Sequence, residues 1–244
     1  MKNFFEILFN GQPNARPKNK LYPAYKNHCL NICRIWKNKK YNDFGTERII
    51  RLFLAISQFA FPGLLVKHIS GKKGLLVRKI AVEKYVWFKL LFTIVVLIVN
   101  IPNGLITGIT FYFLAETILY LATLIYLSNE FAEPISYRRS ITFLFLNFIE
   151  IVLYFAVIYA DFNNRYSDFL NSKFSNSTDA VYFSFVTSAT VGYGDYCPVS
   201  QLAKRLVIFQ IILFFIFVGL YLNFFAARIQ NPTYYNSEKK KGNR

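Results

Sequence analysis

Charge disappears from this chain over three long stretches. Residues 90–115 are 26 consecutive uncharged positions, 140–160 are interrupted only by Glu150, and 206–227 carry no charge. A bilayer core of ~30 Å takes roughly 20 apolar residues of helix, and each stretch supplies them. The first stretch contains a turn signal, Asn100-Ile101-Pro102-Asn103-Gly104, which divides it in two. The pattern therefore predicts four membrane-spanning helices, at about 85–101, 107–128, 140–161 and 204–228. Another uncharged run, Leu52 to Val66, has only 15 residues, with Pro62-Gly63 near its end and Arg48, Arg51, Lys67, Lys72 and Lys73 on its flanks. A span there would put one basic flank outside, so 48–66 is read as an amphipathic helix on the inner leaflet.

The segment Asn171 to Gln201, between the last two spans, follows a different pattern. It opens polar, runs about ten mostly apolar residues from Asp179 to Ala189, then reads Thr190-Val191-Gly192-Tyr193-Gly194-Asp195. Ten residues of helix cannot cross a bilayer, so the helix enters and the chain returns as extended backbone. Irregular backbone at that depth is tolerated only where protein buries it or where it lines a water-filled cavity, which predicts a re-entrant pore loop. Gly192 and Gly194 tolerate positive φ, and alternating left- and right-handed residues turn successive carbonyls to one side. Val191 and Tyr193 then point away and pack behind. Four such strands around an axis would build oxygen cages that replace the water shell of a monovalent cation. Thr190 would add a hydroxyl ring at the inner end, and Asp195 a ring of carboxylates at the outer mouth. The helix before the loop would turn a partial charge of about −0.5 at its C-terminus towards the ion.

Composition narrows the class. With 54% hydrophobic and 19% aromatic residues, the chain is neither an ordinary soluble enzyme domain nor a disordered basic tail. The formal charge of +16 sits at the two ends: +13 over residues 1–84 and +4 over 228–244, against −1 between them. Four spans with two basic ends predict a multi-pass protein of the cell membrane with both termini cytoplasmic. Beside those spans, the basic N-terminal region reads as a partner for anionic lipid or as a solvated face, not for nucleic acid, and Lys239-Lys240-Lys241 reads the same way. Met1 to Phe9 lacks a signal-peptide pattern, and Cys29, Cys33 and Cys197 are too few for a disulfide framework. The expected organisation is a basic region at 1–84, two spans at 85–128, a pore module at 135–229 and a basic tail at 230–244.

Thr190 to Asp195, with Tyr182-Phe183-Ser184 and Val186-Thr187 upstream and Pro198 downstream, resembles the pore signature of tetrameric potassium channels. The likeness covers about 140–228. It implies an all-α membrane protein assembled as a tetramer, in which backbone carbonyls of Thr190, Val191, Gly192 and Tyr193 coordinate potassium and Gly194 permits the outer turn. That selectivity assignment comes from the family. One filter copy per chain then implies a homotetramer. The chain departs from the family in several places. Val186 stands where some bacterial members carry a Glu paired with the equivalent of Asp195. The usual hinge glycine of the inner helix falls near Phe214 or Phe215. Gly219, about one turn nearer the cytoplasm, is the candidate gate or hinge, with helix packing as the competing reading. The absence of acids between Arg205 and Arg228 argues against strong rectification. Only two spans precede the module and neither has a basic residue at every third position, so no voltage sensor of the family type is expected.

Glu116 and Glu150 lie near the middle of their spans, where an acid is costly. A structural hydrogen bond or a protonated side chain facing a neighbour is the first reading, and a proton sensor the second. His28, Cys29 and Cys33 lack a fourth ligand, so zinc is not expected. Cys197 falls just outside the filter, and Asn176-Ser177-Thr178 is a glycosylation sequon. Together these features point to a potassium-selective channel that is not an enzyme, needs no cofactor and has K+ as its permeant ion. The alternatives are a non-conducting or regulatory channel-like subunit and a potassium transporter component.

Overall fold

The structure, a computed structural model, describes residues 24–37, 45–99, 103–127 and 137–229. The first 23 residues and the expected basic tail at 230–244 lie outside the described residues. Among the described residues the architecture is all helical: α1 (Ala24–Lys37), α2 (Gly45–Ser57), α3 (Pro62–Gly71), α4 (Leu75–Val99), α5 (Gly104–Tyr126), α6 (Tyr137–Arg165), α7 (Ser177–Ser188) and α8 (Gln201–Ile229). Three of these are long and apolar enough to cross a membrane, over Gly104–Tyr126, Ser140–Arg165 and Gln201–Leu220, so this is a multi-pass membrane fold. Helix α4 begins ten residues before the expected first span, because Leu75 to Lys84 continues the helix through polar positions. Its last 18 residues hold three charged side chains, Glu83, Lys84 and Lys89.

The chain divides into two compact units. Residues 1–88 with 118–131 form the first. Here the apolar run expected as one interfacial helix breaks in two. Pro62 takes the first position of α3, where its missing N–H costs nothing, and Phe61 before it is extended at φ −116° and ψ 145°. The axes on either side of this break differ by 71°. Ile35 of α1, Leu54 and Ala55 of α2 and Leu127 pack into a small core. His28 hydrogen-bonds through Nε2 to the Ala55 carbonyl at 2.6 Å and sets its ring edge-on to Phe59 at 5.1 Å.

Burial lowers the His28 pKa below its ordinary 6.5; the Ala55 hydrogen bond opposes the shift and Lys67 adds to it. Charging this imidazole therefore favours the unfolded chain. Its contribution is intact above pH 6.5 and is lost as pH falls through the folded-state pKa. We expect His28→Gln to flatten this acid-side loss, seen as a smaller drop in Tm of the purified protein on acidification than in the parent.

The second unit comprises residues 89–117 and 132–244. Helix α6 is its centre, with Val152, Tyr154, Phe155, Ala156, Ile158 and Tyr159 fully buried. Leu90 and Leu97 of α4 pack against Leu153, Ala156 and Val157 of α6, with Val181 of α7 alongside. The C-terminal carbonyls of α6 are satisfied by a cation: Lys173 Nζ donates to the carbonyls of Asn163 and Tyr166. At the same end, Asp161 accepts from Arg165 Nε at 2.9 Å and from Thr107 Oγ1 of α5 at 2.7 Å. Gly104 makes room for this arrangement, because a Cβ there would lie 2.7 Å from Arg165 Nη2.

Candidate functional site

Helix α7 is the short element expected to enter and turn back. At 12 residues it reaches only about 18 Å, well short of a bilayer core. Its start is set locally. Asn176 Oδ1 accepts from the Asp179 N–H, and the Asp179 carboxylate accepts from the Asn176 N–H, a reciprocal capping box. The sequon Asn176 thus serves as the helix N-cap and is exposed. At the other end the chain leaves through tightening bonds: Ala189 N–H to Phe185 O at 2.9 Å, Thr190 N–H to Thr187 O at 3.1 Å and Val191 N–H to Val186 O at 3.0 Å.

From there the backbone alternates. Thr190, Gly192 and Gly194 have φ of 54°, 64° and 88°, and Val191 and Tyr193 between them are not in the positive-φ region. Among the described residues Thr190 is the one non-glycine with positive φ. A β-branched side chain in that region is strained, and such outliers persist where surrounding structure imposes them, typically at functional sites. At Gly192 and Gly194 the reason for glycine is conformational, since an added Cβ would meet no atom within 4 Å in the chain. All six residues of the loop are exposed in the single chain, Tyr193 at 71%. The Tyr193 ring lies parallel to Tyr182 of α7, at 6.4 Å and 5°.

The loop is held from three sides. On the outside, Asn171 is the clamp: its Nδ2 donates to Asp195 O at 3.0 Å, its Oδ1 accepts from Cys197 N–H at 2.8 Å, and its own N–H donates to Cys197 O at 3.0 Å. An antiparallel bridge between Leu170 and Pro198 extends this pairing. Alongside α7, the Tyr182 hydroxyl lies within reach of the Asp195 carboxylate. Val186 carries no acid to pair with Asp195, and Tyr182 supplies a contact from the same helix instead.

On the inside lies a buried polar knot. Gln210 of α8 donates through Nε2 to Ser184 O at 3.0 Å, Ser184 Oγ at 2.9 Å and Ser188 Oγ at 2.6 Å. Its Oε1 accepts from Tyr159 of α6 at 2.7 Å. Ser184 Oγ in turn donates to Val152 O of α6 at 2.6 Å. One amide thus ties the outer, pore and inner helices together beneath the loop. Sequence reasoning missed Gln210, although an amide inside the uncharged run 206–227 is a usable signal, since a buried polar group needs partners.

The remaining candidates are dispersed. Gly219 lies on an unbroken α8, with nothing in the chain within 4 Å of an added Cβ. Cys29 and Cys33 are exposed free thiols in the other unit. Glu116 and Glu150 are both buried and lie in the second unit with the buried Lys89. Cys197 is exposed, and its Sγ lies 3.3 Å from Gly194 O. A charged, membrane-impermeant thiol reagent added outside is therefore expected to reduce ion current, and Cys197→Ser to be insensitive. Current unchanged after mass spectrometry confirms labelling would separate Cys197 from the ion path.

Comparison with known proteins falls on the same region. Residues 141–231 match the sequence pattern of a family described as "Ion channel". Over 63 residues, 26% of this chain, it is 40% identical to Potassium channel K1 of Plasmodium berghei (strain Anka), and the aligned stretch is 3% of that protein's length. No solved structure gives a significant match. The matched segment takes in most of α6, the capped short α7, the alternating loop and α8, and over it the chain is similar to the ion-channel family.

Proposed function

We propose that this chain forms a potassium-selective channel that passes K+ passively down its electrochemical gradient. Four copies surround one axis, with the carbonyls of Thr190, Val191, Gly192 and Tyr193 facing the ion, Gly194 making the outer turn and Asp195 at the mouth. The observation that carries this reading is the alternation of φ sign from Thr190 to Gly194, at the end of a helix too short to span. An ordinary helix connection has no need of five residues that turn carbonyl after carbonyl to one side. The name of the Plasmodium berghei relative favours potassium as the ion. Exposed apolar side chains on α8, Ile208, Phe209, Ile212, Phe215 and Ile216, suit a helix that packs on other copies and on lipid. In this reading the protein is a homotetramer of the cell membrane, with both termini in the cytoplasm and the basic N-terminal region against anionic lipid. It performs no chemistry and needs no cofactor.

Reconstitution into liposomes tests it. Under a potassium gradient, reversal near the potassium equilibrium potential supports the channel. Equal sodium and potassium flux would replace it with a non-selective pore. Complete absence of flux would favour a non-conducting or regulatory subunit, and uphill flux a transporter component.

A further inference from the structure

Helix α1 carries two of the three cysteines of the chain on its outer side. Cys29 and Cys33 are free, exposed and four residues apart, so they rise from one helix face as neighbours, with about 5–6 Å between Cβ atoms. Lys26, Leu30, Trp36 and Lys37 are exposed around them. The opposite side of the helix is the packed one. There His28 bonds the Ala55 carbonyl, and Ile35 joins Leu54, Ala55 and Leu127 in the small core of the first unit. Leu127 follows directly on α5, one of the helices long and apolar enough to cross a membrane, and Leu119 and Ala122 of α5 pack against the same core. Helix α1 is thus seated against the end of a membrane-crossing helix, with its two thiols on the face turned away from the core.

The ordinary uses of a cysteine pair do not fit this one. Free cysteine is among the most buried residue types, and these two are on the surface. A disulfide between them needs Cβ atoms about 3.5–4.5 Å apart, closer than one helical turn places them. Among the described residues no three His, Cys, Asp or Glu side chains gather to hold a metal. What surrounds the thiols is the composition of a membrane surface, with ammonium groups beside an aliphatic and an aromatic side chain on one helix face. We propose that Cys29 and Cys33 are S-acylation sites, converted to thioesters by a fatty acyl-coenzyme A so that the acyl chains fasten α1 to the leaflet beside the end of α5. This rests on the reading that the N-terminal region is cytoplasmic, the side that supplies the acyl donor. In the reaction the cysteine thiolate attacks the carbonyl carbon of the donor thioester. A new bond forms from that carbon to the cysteine sulfur, its bond to the coenzyme A sulfur breaks, and coenzyme A leaves as a thiol with the proton the cysteine gave up. A single acyl chain holds a membrane only reversibly, whereas two chains, or one chain with a basic surface, hold it stably. Helix α1 presents both devices within a few turns.

The test uses the full chain expressed in a eukaryotic cell, whose membranes hold acyltransferases, and its readout does not depend on what the pore conducts. Free thiols are blocked with N-ethylmaleimide, thioesters are cleaved with neutral hydroxylamine, and each thiol so released takes a polyethylene glycol maleimide that shifts the band on a gel. A shift of two tags is expected for the parent, one tag for Cys29→Ser or Cys33→Ser, and none for the double variant. Cys197, exposed but in the other unit, is the internal control and should take no hydroxylamine-dependent tag. A parent without any such tag would overturn the proposal, and so would a tag that persists in the double variant. An impermeant maleimide added to intact cells separates this outcome from a failure of topology. Cys29 and Cys33 labelled from outside would remove the cytoplasmic reading and the acylation with it. The same thiols shielded from outside yet free after lysis would overturn the acylation alone.

Discussion

Gly192→Ala is expected to abolish potassium preference while leaving the protein folded and assembled. The residue stands at φ 64°, a conformation that costs an L-residue about 1–2 kcal/mol, and every copy in the proposed tetramer would incur it. No neighbouring atom lies within 4 Å of the new Cβ, so the methyl group clashes with nothing in its own chain and the penalty falls on the backbone conformation. Relaxing that strain means leaving the left-handed region, and this rotates the adjoining peptide carbonyls away from the arrangement proposed for the filter. Flux measured with potassium and sodium gradients in the same liposomes reads the result. A variant that still discriminates as the parent does would sink the carbonyl mechanism, and size-exclusion chromatography shows whether loss of flux is only loss of assembly.

Gln210→Leu should be the most destabilising single change in the pore module. It leaves the Tyr159 hydroxyl and the Ser188 hydroxyl buried without the amide that pairs them, and withdraws the donor from Ser184 O. Stranding a buried polar group costs about 1–3 kcal/mol, so the substitution is worth roughly 2–5 kcal/mol. A drop in Tm of several degrees is the expected reading. Adding Tyr159→Phe to Gln210→Leu removes one of the stranded hydroxyls and should recover part of the loss. If the double variant were less stable than Gln210→Leu, Tyr159 would be held by packing with Phe155 and Phe183 and not by its hydroxyl.

These two residues differ in how visible they are before folding. Gly192 announces itself, because a glycine alternating with bulky residues behind a short apolar helix has few physical uses. Gln210 is one polar letter among apolar neighbours, and its importance depends on what α6 and α7 place beside it. Thr190 was legible as an oxygen donor, yet its positive φ was not, since nothing in a threonine marks it for a strained backbone. Lys89 is the clearest case. Read along the chain it marks the edge of an uncharged stretch, while in the fold it is buried and paired with an acid 61 positions away. The break at Phe61-Pro62 was signalled by the proline, but its 71° angle was not.

By itself the amino-acid order determined where the chain avoids water. Runs without charge mark three helices long and apolar enough to cross a membrane, and a ten-residue remnant marks a helix too short to do so. These are properties of transfer between water and hydrocarbon, which each segment expresses without reference to the others. Tertiary structure decided everything that depends on two helices sharing a depth. It set Gln210 against Ser184 and Ser188 of α7, Asn171 beside Asp195 and Cys197, and Lys89 against Glu150 of a neighbouring helix. A buried polar group acquires its role only from the partner that satisfies it, and that partner is chosen by packing.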